Sequence, residues 1–338
     1  MRRKPAWCPL PASGSIGAYI SAAVIGAPLQ IDSISRPFLK WAGGKRQLMP
    51  TIDRHLPVDM RYGKIKRHVE PFGGGGAVFF HIRQMYPIQE FHIGDLNRDL
   101  VNTYVVIRDK LDPLLHSLQA VAREYLPLEH ADRAAVFYRI RDQYNSTPGC
   151  LNSKRVTAAR VQRAAQTIFL NRTCFNGLYR VNSRGRYNVP HGRYKTPPIC
   201  DENGLRSASL ALQGVKLSCG SYEMCEPHVD AHSFVYLDPP YRPLPNTPSF
   251  TAYAQTASFG DEDQKKLAGF YSLMHRKGAL LMLSNSDPHV TDAADDFFDD
   301  LYEDFNIHRV VANRTINSDP GKRGAITEIL VTNYRVKG

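Results

Sequence analysis

The sequence has few cysteines, and neither its cysteines nor its histidines form a metal-binding pattern. Its 338 residues include six cysteines and twelve histidines, with no CxxC pair and no HExxH motif. These gaps argue against a zinc ribbon, a zinc hydrolase and a disulfide scaffold, and they favour a reducing compartment. No uninterrupted apolar run reaches the roughly 18 residues that a membrane-spanning helix needs. We therefore expect a cytoplasmic protein, monomeric in solution, with no bound metal and no membrane partner.

Acidic residues are missing from one window of the chain. Residues 151–200 hold ten basic side chains and no Asp or Glu, a balance of +10 within a net charge of +11 for the whole chain. The ten are Lys154, Arg155, Arg160, Arg163, Arg172, Arg180, Arg184, Arg186, Arg193 and Lys195. Aromatic residues are interleaved with them, and Arg with aromatic rings suits a surface that neutralises phosphates and stacks on bases. A solvated basic face is the alternative, but the complete lack of acids favours a surface that faces nucleic acid.

Strand-like and helix-like segments alternate from Phe38 onward, which predicts an α/β fold with a doubly wound, mostly parallel sheet. Two strand-like segments at 307–312 and 328–334 flank a loop rich in Gly, Lys and Arg and predict an antiparallel C-terminal hairpin. Residues 98–201 are too long for a connection between a strand and a helix, so we expect a mainly helical inserted domain. The start of the chain is basic and then weakly apolar, and Pro, Gly and Ser interrupt it. The expected organisation is a poorly ordered extension (1–35), a sheet domain (36–97 and 202–338) and an insert (98–201).

A glycine-rich loop follows the first expected strand. Phe72 precedes four glycines at 73–76, and a helix-like segment begins directly after them. Glycines allow a tight turn and a close approach to a ligand, and the helix N-terminus offers free amide donors. Asp95 ends the next expected strand, 19 residues after the last glycine, where its carboxylate can accept hydrogen bonds from ribose hydroxyls. The pattern predicts a nucleoside-containing cofactor without distinguishing NAD from S-adenosylmethionine.

The tetrapeptide Asp238-Pro239-Pro240-Tyr241 follows a later expected strand. Its prolines have no amide hydrogen, so carbonyl groups of the turn remain available as acceptors. An exocyclic amino group on a base is a poor nucleophile because its lone pair is delocalised into the ring. If the Asp238 carboxylate and the Pro239 carbonyl accept its two N–H bonds, the nitrogen becomes pyramidal and can attack a methyl donor, while Tyr241 stacks on the base. At the carboxyl end of a sheet strand this turn predicts amino-group methylation, with an ordinary helix-breaking turn as the alternative.

Six segments, among them these two motifs, resemble those of the Dam-type DNA adenine methyltransferases and occur in the same order. They are 38–45, 70–76, 95–97, 171–178, 186–195 and 238–241, and the resemblance extends over about residues 36–335. The chain departs from the pattern in having glycine at all of 73–76 and Thr173-Cys174 before Phe175. Neither change removes a group with an assigned role.

The resemblance implies a role for individual residues and names the expected domains. The sheet domain would be catalytic and the insert would recognise the DNA target. S-adenosylmethionine would be held by Trp41, Lys45, Phe72, Gly74, Gly76, Asp95 and Asp238, with Asp95 at the ribose. The chemistry would be carried by Asp238, Pro239, Pro240 and Tyr241. Double-stranded DNA would be contacted by Lys40, Phe175, Asn176, Leu178, Arg180, Pro190 and Arg193.

Within the DNA-contacting set, the resemblance implies that Phe175 inserts as a wedge beside the flipped base. It also implies that Asn176 fills the place in the duplex that this base has left. Lys40 would contact the first guanine of the site, and Leu178, Arg180 and Pro190 would read base edges. An Arg bidentate to guanine is worth about 1–3 kcal/mol of discrimination, which gives Arg180 a physical reason for that role. Arg193, like Arg186, could equally contact a phosphate.

The expected function is site-specific methylation of the adenine amino group in duplex DNA, within GATC and by base flipping, in a bacterial or phage-encoded protein associated with the nucleoid. Amino-methylation of cytosine stays open because the tetrapeptide serves both bases. Methylation of a cytosine ring carbon would need a cysteine nucleophile in a Pro-Cys turn, and the chain has no Pro-Cys pair. A catalytically idle DNA-binding module would have lost Asp238, Tyr241 or the glycine loop. A nicotinamide-linked oxidoreductase would explain the glycine loop and Asp95 but neither the tetrapeptide nor the basic window.

Overall fold

A computed structural model describes residues 34–147, 155–242, 259–313 and 325–336. The extension expected over 1–35 therefore lies outside the described residues, except for its last two. Ser35, the last of them, is already anchored: its amide donates to Gln84 Oε1 at 2.8 Å and its hydroxyl donates to the Ser207 carbonyl at 2.9 Å. No helix of these described stretches combines the length and the apolar character needed to cross a membrane.

A seven-stranded sheet forms the centre of the molecule. Its strands are β1 (Arg67–Glu70), β2 (Glu90–Asp95), β3 (Lys216–Cys219), β4 (Ser233–Leu237), β5 (Leu280–Ser286), β6 (Asn306–Asn313) and β7 (Ala325–Thr332). Their spatial order is β3-β2-β1-β4-β5-β7-β6. The first five are parallel, and β7 lies antiparallel between β5 and β6. The predicted α/β class with a mostly parallel sheet is confirmed, while the residues that join β6 to β7 lie outside the described part of the chain.

The helices of the described residues connect the strands, and five of them lie in sequence between β2 and β3. They are α1 (Met49–His55), α2 (Ala77–Met85), α3 (Arg98–Asp109), α4 (Leu111–Tyr125), α5 (His130–Ser146), α6 (Ala158–Thr173), α7 (Glu202–Leu212), α8 (Asp261–Arg276) and α9 (Phe297–Leu301). Successive side chains of β4 enter two different apolar clusters: Phe234 and Tyr236 belong to one, and Val235 and Leu237 belong to the other. Because side chains alternate along a strand, both faces of the sheet are covered, as a parallel sheet requires.

Helices α4 to α6 share a continuous apolar core with one face of the sheet. The same cluster contains Leu114 of α4, Phe137 of α5 and Phe169 of α6 together with Phe79 and Phe80 of α2. Helix α3 packs against α6 and also against β3, so it connects the two regions. The helices that precede the basic loops are therefore held firmly against the sheet.

The acidic run 292–304 is helical only over Phe297–Leu301. Two acidic side chains bond to the backbone two residues ahead: Asp292 accepts from the Ala294 amide and Asp295 accepts from the Phe297 amide. Such local bonds compete with helical hydrogen bonds and favour turns. Within this run, Phe298 is fully buried.

Candidate active site

The glycine loop and the tetrapeptide meet at the carboxyl edge of the sheet. The loop follows β1 and the tetrapeptide follows β4, and these two strands are hydrogen-bonded neighbours. The chain runs from β1 to one side of the sheet and returns to the other side at β4, so the strand order reverses between them. In open α/β sheets, ligands bind outside the carboxyl ends of the strands at such a switch point.

Backbone hydrogen bonds shape the glycine loop. Gly73 donates to the Gly94 carbonyl at 2.7 Å, and Gly76 donates to the Gly73 carbonyl at 2.8 Å. Gly76 precedes α2 with φ at +74°, a left-handed conformation in which a side chain is strained. A Cβ atom there would also lie 2.5 Å from the Tyr104 hydroxyl oxygen. Glycine is therefore required at position 76 by both conformation and space.

Trp41, Gly74 and Asp95 lie together beside this loop. A Cβ atom on Gly74 would approach Trp41 Cδ1 to 3.2 Å, so a side chain there would crowd the indole. The Asp95 carboxylate accepts from the Gly74 amide at 2.9 Å and from the Asn97 amide at 2.8 Å. Burial raises the pKa of Asp95, and the two amide donors oppose that rise. This cradle of a half-buried carboxylate, an indole and bare backbone fits a nucleoside-bearing ligand.

The Phe72 ring lies at the same edge. It stacks on Tyr222 with ring centroids 5.4 Å apart, and it is partly buried. The phenylalanine ring has no polar group, so it can contact a ligand only through its apolar surface. Phe72 therefore offers a flat apolar wall next to the glycine loop.

The Asp238 carboxylate is held from one side. Its Oδ1 atom lies 2.7 Å from Lys45 Nζ, and the same oxygen accepts from the Ser284 hydroxyl at 2.9 Å. The side chain of Asp238 is 20% exposed and that of Lys45 is 6% exposed, so this pair is largely shielded from water. Within the described residues, neither Asp238 Oδ2 nor the Pro239 carbonyl accepts a hydrogen bond. Two acceptors are thus left on one turn.

Tyr241 and Pro240 are fixed by side chains that follow later in the sequence. The Tyr241 hydroxyl donates to Glu328 Oε2 at 2.7 Å, and the Pro240 carbonyl accepts from Gln264 Nε2 at 3.1 Å. Burial, followed by the nearby Glu328 carboxylate, raises the pKa of Tyr241 well above its usual value, so the phenol stays protonated. Lys45 Nζ lies 4.5 Å from the centre of the Tyr241 ring and covers one of its faces.

Asn171 of α6 joins the opening motif to the loop that follows α6. Its Oδ1 accepts from the Lys40 amide at 2.9 Å, and its Nδ2 donates to the carbonyls of Lys40 and Gly177, both at 2.9 Å. The Lys40 ammonium group lies 4.8 Å from the centre of the Tyr194 ring. Lys40 is exposed, so it belongs to the same surface as the loop.

The segment after α6 presents Phe175 to solvent. Its side chain is 54% exposed, which is unusual for phenylalanine, and its amide donates to the Pro190 carbonyl at 2.9 Å. Asn176 has φ at +57° and is the one non-glycine residue with positive φ in the described chain. Among side chains other than glycine, Asn is enriched in that conformation. The exposed ring is therefore held at the apex of a defined turn.

A short ladder follows this turn and carries further predicted DNA contacts. Val181 and Tyr187 pair antiparallel, and Arg180 Nε donates to Asn188 Oδ1 at 2.7 Å. Leu178 is half-buried, whereas Pro190 and Arg193 are exposed. The predicted DNA-contacting residues thus lie on one connected region that also includes Lys40.

Tyr179 links this region to the glycine loop. Its ring stacks on Trp41 with centroids 5.3 Å apart, and its hydroxyl donates to Asp99 Oδ2 at 3.4 Å. Tyr179 lies between Leu178 and Arg180 in the sequence. Composition identifies Tyr179 only as one of several aromatic residues in the basic window and does not predict its contact with Trp41.

The expectation that the whole basic window faces nucleic acid is wrong for three of its arginines. Arg160 is buried and donates to Asn102 Oδ1 at 2.8 Å. Arg163 pairs with Asp99 at 2.7 Å, and Arg172 donates to the Phe38 carbonyl at 2.8 Å. These side chains satisfy polar groups inside the fold, so the charge available to a partner is smaller than +10.

One side-chain cluster in the described residues has the composition of a metal site, although the sequence predicts none. His289, Asp296 and Asp299 lie within 4.8 Å of one another and are exposed or half-exposed. The Arg309 guanidinium donates to Asp299 Oδ2 at 2.6 Å and so already neutralises part of this charge. The cluster lies outside the candidate active site as described above.

Comparison with known proteins identifies the family. Residues 41–316 match the D12 class of N6 adenine-specific DNA methyltransferases. The chain is 46% identical to the type II methyltransferase M.MjaIII of Methanocaldococcus jannaschii over 300 residues, which cover 88% of this chain and 99% of the relative. It is 38% identical to the type II methyltransferase M1.LlaDCHI of Lactococcus lactis, covering 90% of this chain and 98% of the relative. It is 34% identical to the DNA adenine methylase of Escherichia coli K12, covering 88% of this chain and 94% of that protein. The chain therefore belongs to the Dam-type, D12 class of adenine-specific DNA methyltransferases.

Proposed function

We propose that this enzyme methylates the amino group of an adenine that is rotated out of duplex DNA, within the sequence GATC. The observation that supports this most directly is the turn after β4. Asp238 Oδ2 and the Pro239 carbonyl accept no hydrogen bond from any described residue, whereas Asp238 Oδ1 is already bonded to two donors. Two neighbouring acceptors match the two N–H bonds of one exocyclic amino group. Asp238, Pro239, Pro240 and Tyr241 are the proposed catalytic turn.

The methyl group would come from S-adenosylmethionine. Asp95 would accept hydrogen bonds from ribose hydroxyls, which a carboxylate with two oxygens can do while keeping its bonds to the backbone. Trp41 and Phe72 would provide apolar surfaces, and Gly74 and Gly76 would allow close approach to the backbone. Lys45 lies at the boundary between the donor cradle and Asp238, where its ammonium group pairs with Asp238 Oδ1 at 2.7 Å. Positioning and hydrogen bonding then supply the catalysis, without a covalent intermediate on the protein.

Residues 98–201 would recognise the DNA target. The exposed Phe175 is suited to insert beside the extruded base, and Asn176 to occupy the vacated position. Base extrusion costs a few kcal/mol of unstacking, which such an insertion offsets. Leu178, Arg180 and Pro190 would read base edges, as would Lys40 from the opening motif. Arg193 would contact a phosphate.

The recognition sequence GATC and the monomeric state are also proposals. GATC follows from the resemblance of segments 171–178 and 186–195 to those of Dam-type enzymes. A single chain supplies the donor cradle, the catalytic turn and the exposed region, which favours action as a monomer. Light scattering of the protein with and without a GATC duplex would test the second point.

The proposed reaction is tested by expression in a methylation-deficient host. The matched variants are Asp238→Asn, which removes the charge and replaces one of the two acceptor oxygens with a donating NH2 group, and Asp300→Asn, which changes an exposed aspartate of α9. We expect wild type and Asp300→Asn to produce N6-methyladenine in GATC, and Asp238→Asn to bind duplex DNA without methylating it. Base-resolved sequencing and nucleoside mass spectrometry provide the readouts. Full methylation by Asp238→Asn would refute the proposed turn, and methyladenine in another sequence context would refute GATC.

A further inference from the structure

The strand β5 ends in three polar residues although it is buried. Ser284, Asn285 and Ser286 are exposed by no more than 3%, and they follow the apolar segment of the same strand. Burying a polar group lowers the stability of the fold unless the group is hydrogen-bonded. We therefore expect each of these three side chains to have a hydrogen-bonding partner. Their partners lie in the turn after β4, which carries Asp238.

Ser284 is the member of this strand end that touches the carboxylate. Its hydroxyl donates to Asp238 Oδ1 at 2.9 Å. A hydroxyl has one hydrogen, and an ionised carboxylate can only accept, which fixes the direction of this bond. The Tyr236 hydroxyl lies 3.0 Å from Ser284 Oγ and must then be the donor to it. Burial, with the nearby Asp238 charge, raises the pKa of Tyr236 well above its usual value, so its proton stays available.

Asn285 and Ser286 hold the other end of the same turn. Asn285 Oδ1 accepts from the Arg242 amide at 3.1 Å, and the Ser286 hydroxyl donates to the Arg242 carbonyl at 3.0 Å. Asn285 also donates to Gln264 Oε1 at 3.1 Å, and Gln264 in turn donates to the Pro240 carbonyl. The end of β5 therefore fixes the backbone of the turn, while Ser284 alone among its three residues bonds to the carboxylate.

We infer that Ser284 is a positioning residue for methyl transfer, and that its hydroxyl, oriented by Tyr236, sets the rotation of the Asp238 carboxylate so that Oδ2 faces the target amino group. The terminal torsion of an aspartate side chain is broad, so the backbone alone does not choose which oxygen faces the substrate. Lys45 Nζ bonds to the same Oδ1, but its proposed contact with the methyl donor makes it a restraint that changes when the donor binds. A serine on a buried strand has almost no freedom to move. The inference rests on the proposed role of Asp238.

The test compares Ser284→Ala with Ser233→Ala. Ser233 is also fully buried, and its hydroxyl donates to the Asp230 carboxylate at 2.8 Å, but it lies at the opposite end of β4 from the catalytic turn. The two variants thus lose the same kind of hydrogen bond in different places. We measure the single-turnover rate of methyl transfer to a GATC duplex, together with the dissociation constants for the duplex and for S-adenosylmethionine.

We expect Ser284→Ala to lower the single-turnover rate about 10- to 100-fold, the factor associated with losing an oriented hydrogen bond to a charged group. Both dissociation constants should change less than about threefold, because Ser284 touches neither ligand in this arrangement. Ser233→Ala should keep the wild-type rate. Ser284→Thr, which retains a hydroxyl, should recover most of the rate.

Other outcomes separate the inference from the function on which it rests. A wild-type rate in Ser284→Ala, with Asp238→Asn inactive, would overturn the positioning role and leave the proposed function intact. An active Asp238→Asn would overturn both. Equal losses in Ser284→Ala and Ser233→Ala would indicate general destabilisation and refute the inference. If Ser284→Ala does not fold, Tyr236→Phe decides: a reduced rate with unchanged ligand affinities supports the role of Ser284, and an unchanged rate contradicts it.

Discussion

Arg163 and Arg186 belong to the same basic window but lie in opposite environments. Arg163 donates to both oxygens of Asp99, at 2.7 and 2.9 Å, and its side chain is 12% exposed. The centre of the Tyr144 ring lies 3.3 Å from its guanidinium carbon. Arg186 is exposed, and its side chain makes no hydrogen bond or ion pair with any residue that the structure describes. Replacing each with methionine removes the same charge and keeps a similar length, so the pair of variants separates structural charge from charge that faces DNA.

Arg163→Met should destabilise the fold. Removing one partner of a buried ion pair leaves the other charge unpaired and costs about 3–5 kcal/mol. Asp99 would keep the hydrogen bond from the Tyr144 hydroxyl at 2.7 Å, which favours the lower end of that range. We therefore expect a loss of about 3 kcal/mol in the free energy of unfolding. Urea denaturation measures this value, and the folded variant should retain the wild-type salt dependence of DNA binding.

Arg186→Met should instead weaken DNA binding with little change in stability. A lost phosphate contact lowers the slope of log K against log salt by about 0.9, which corresponds to roughly fivefold weaker binding at about 0.15 M salt. An exposed substitution changes the free energy of unfolding by no more than about 0.5 kcal/mol. Fluorescence anisotropy with a GATC duplex at several salt concentrations gives the slope. A flattened slope in Arg163→Met, or a loss of about 3 kcal/mol in Arg186→Met, would show that the assignment of these two charges is reversed.

Three further predictions follow from individual environments. Gly76→Ala should destabilise the protein by about 1–3 kcal/mol more than Gly214→Ala in urea unfolding, because both have φ near +75° but only the Gly76 site places a Cβ 2.5 Å from the Tyr104 hydroxyl. Burial, and after it the neighbouring cations, lowers the pKa of His92 from 6.5 to about 4, so the folded protein favours the neutral imidazole. The contribution of His92 to stability is therefore complete above pH 6.5 and is lost as the pH falls toward 4. Between pH 8 and pH 5 the wild type should lose about 2 kcal/mol that His92→Gln does not lose, and identical pH dependence would contradict this. Phe175→Ala should keep the wild-type unfolding free energy but slow single-turnover methylation. The slowing should be smaller when the target adenine is mispaired, because a mispaired base is easier to extrude. Equal slowing on paired and mispaired duplexes would argue against a wedge.

The mostly parallel arrangement of the sheet could be predicted, because strand-like and helix-like segments alternate along the sequence. The short strand-like segments that end at Asp95 or just before Asp238 identify both the strand and its carboxyl end. The glycine loop is equally local, since its conformation depends on glycine itself. These features place the donor cradle and the catalytic turn at neighbouring strand ends.

Contacts between distant residues could not be predicted in the same way. Ser284 lies 46 residues after Asp238, and Asn171 lies 131 residues after Lys40, so the sequence alone does not show that they meet. A polar Ser-Asn-Ser segment at the end of an apolar strand was the available signal for the first, although it did not identify the partner. The prediction that the whole basic window faces nucleic acid was wrong in part for a related reason. Composition counts the charge of Arg160 and Arg163 without showing which way those side chains point.

The stacked rings of Trp41 and Tyr179 connect two kinds of binding. Trp41 borders the donor cradle, and Tyr179 stands between Leu178 and Arg180 in the segment proposed to read DNA. If filling either site shifts this stack, the two binding free energies are linked, and thermodynamic reciprocity makes the coupling equal in both directions. DNA would then change the affinity for S-adenosylmethionine by the same factor by which S-adenosylmethionine changes the affinity for DNA. A single pair of rings would thus link the two binding events at a distance from the point where the methyl group is transferred.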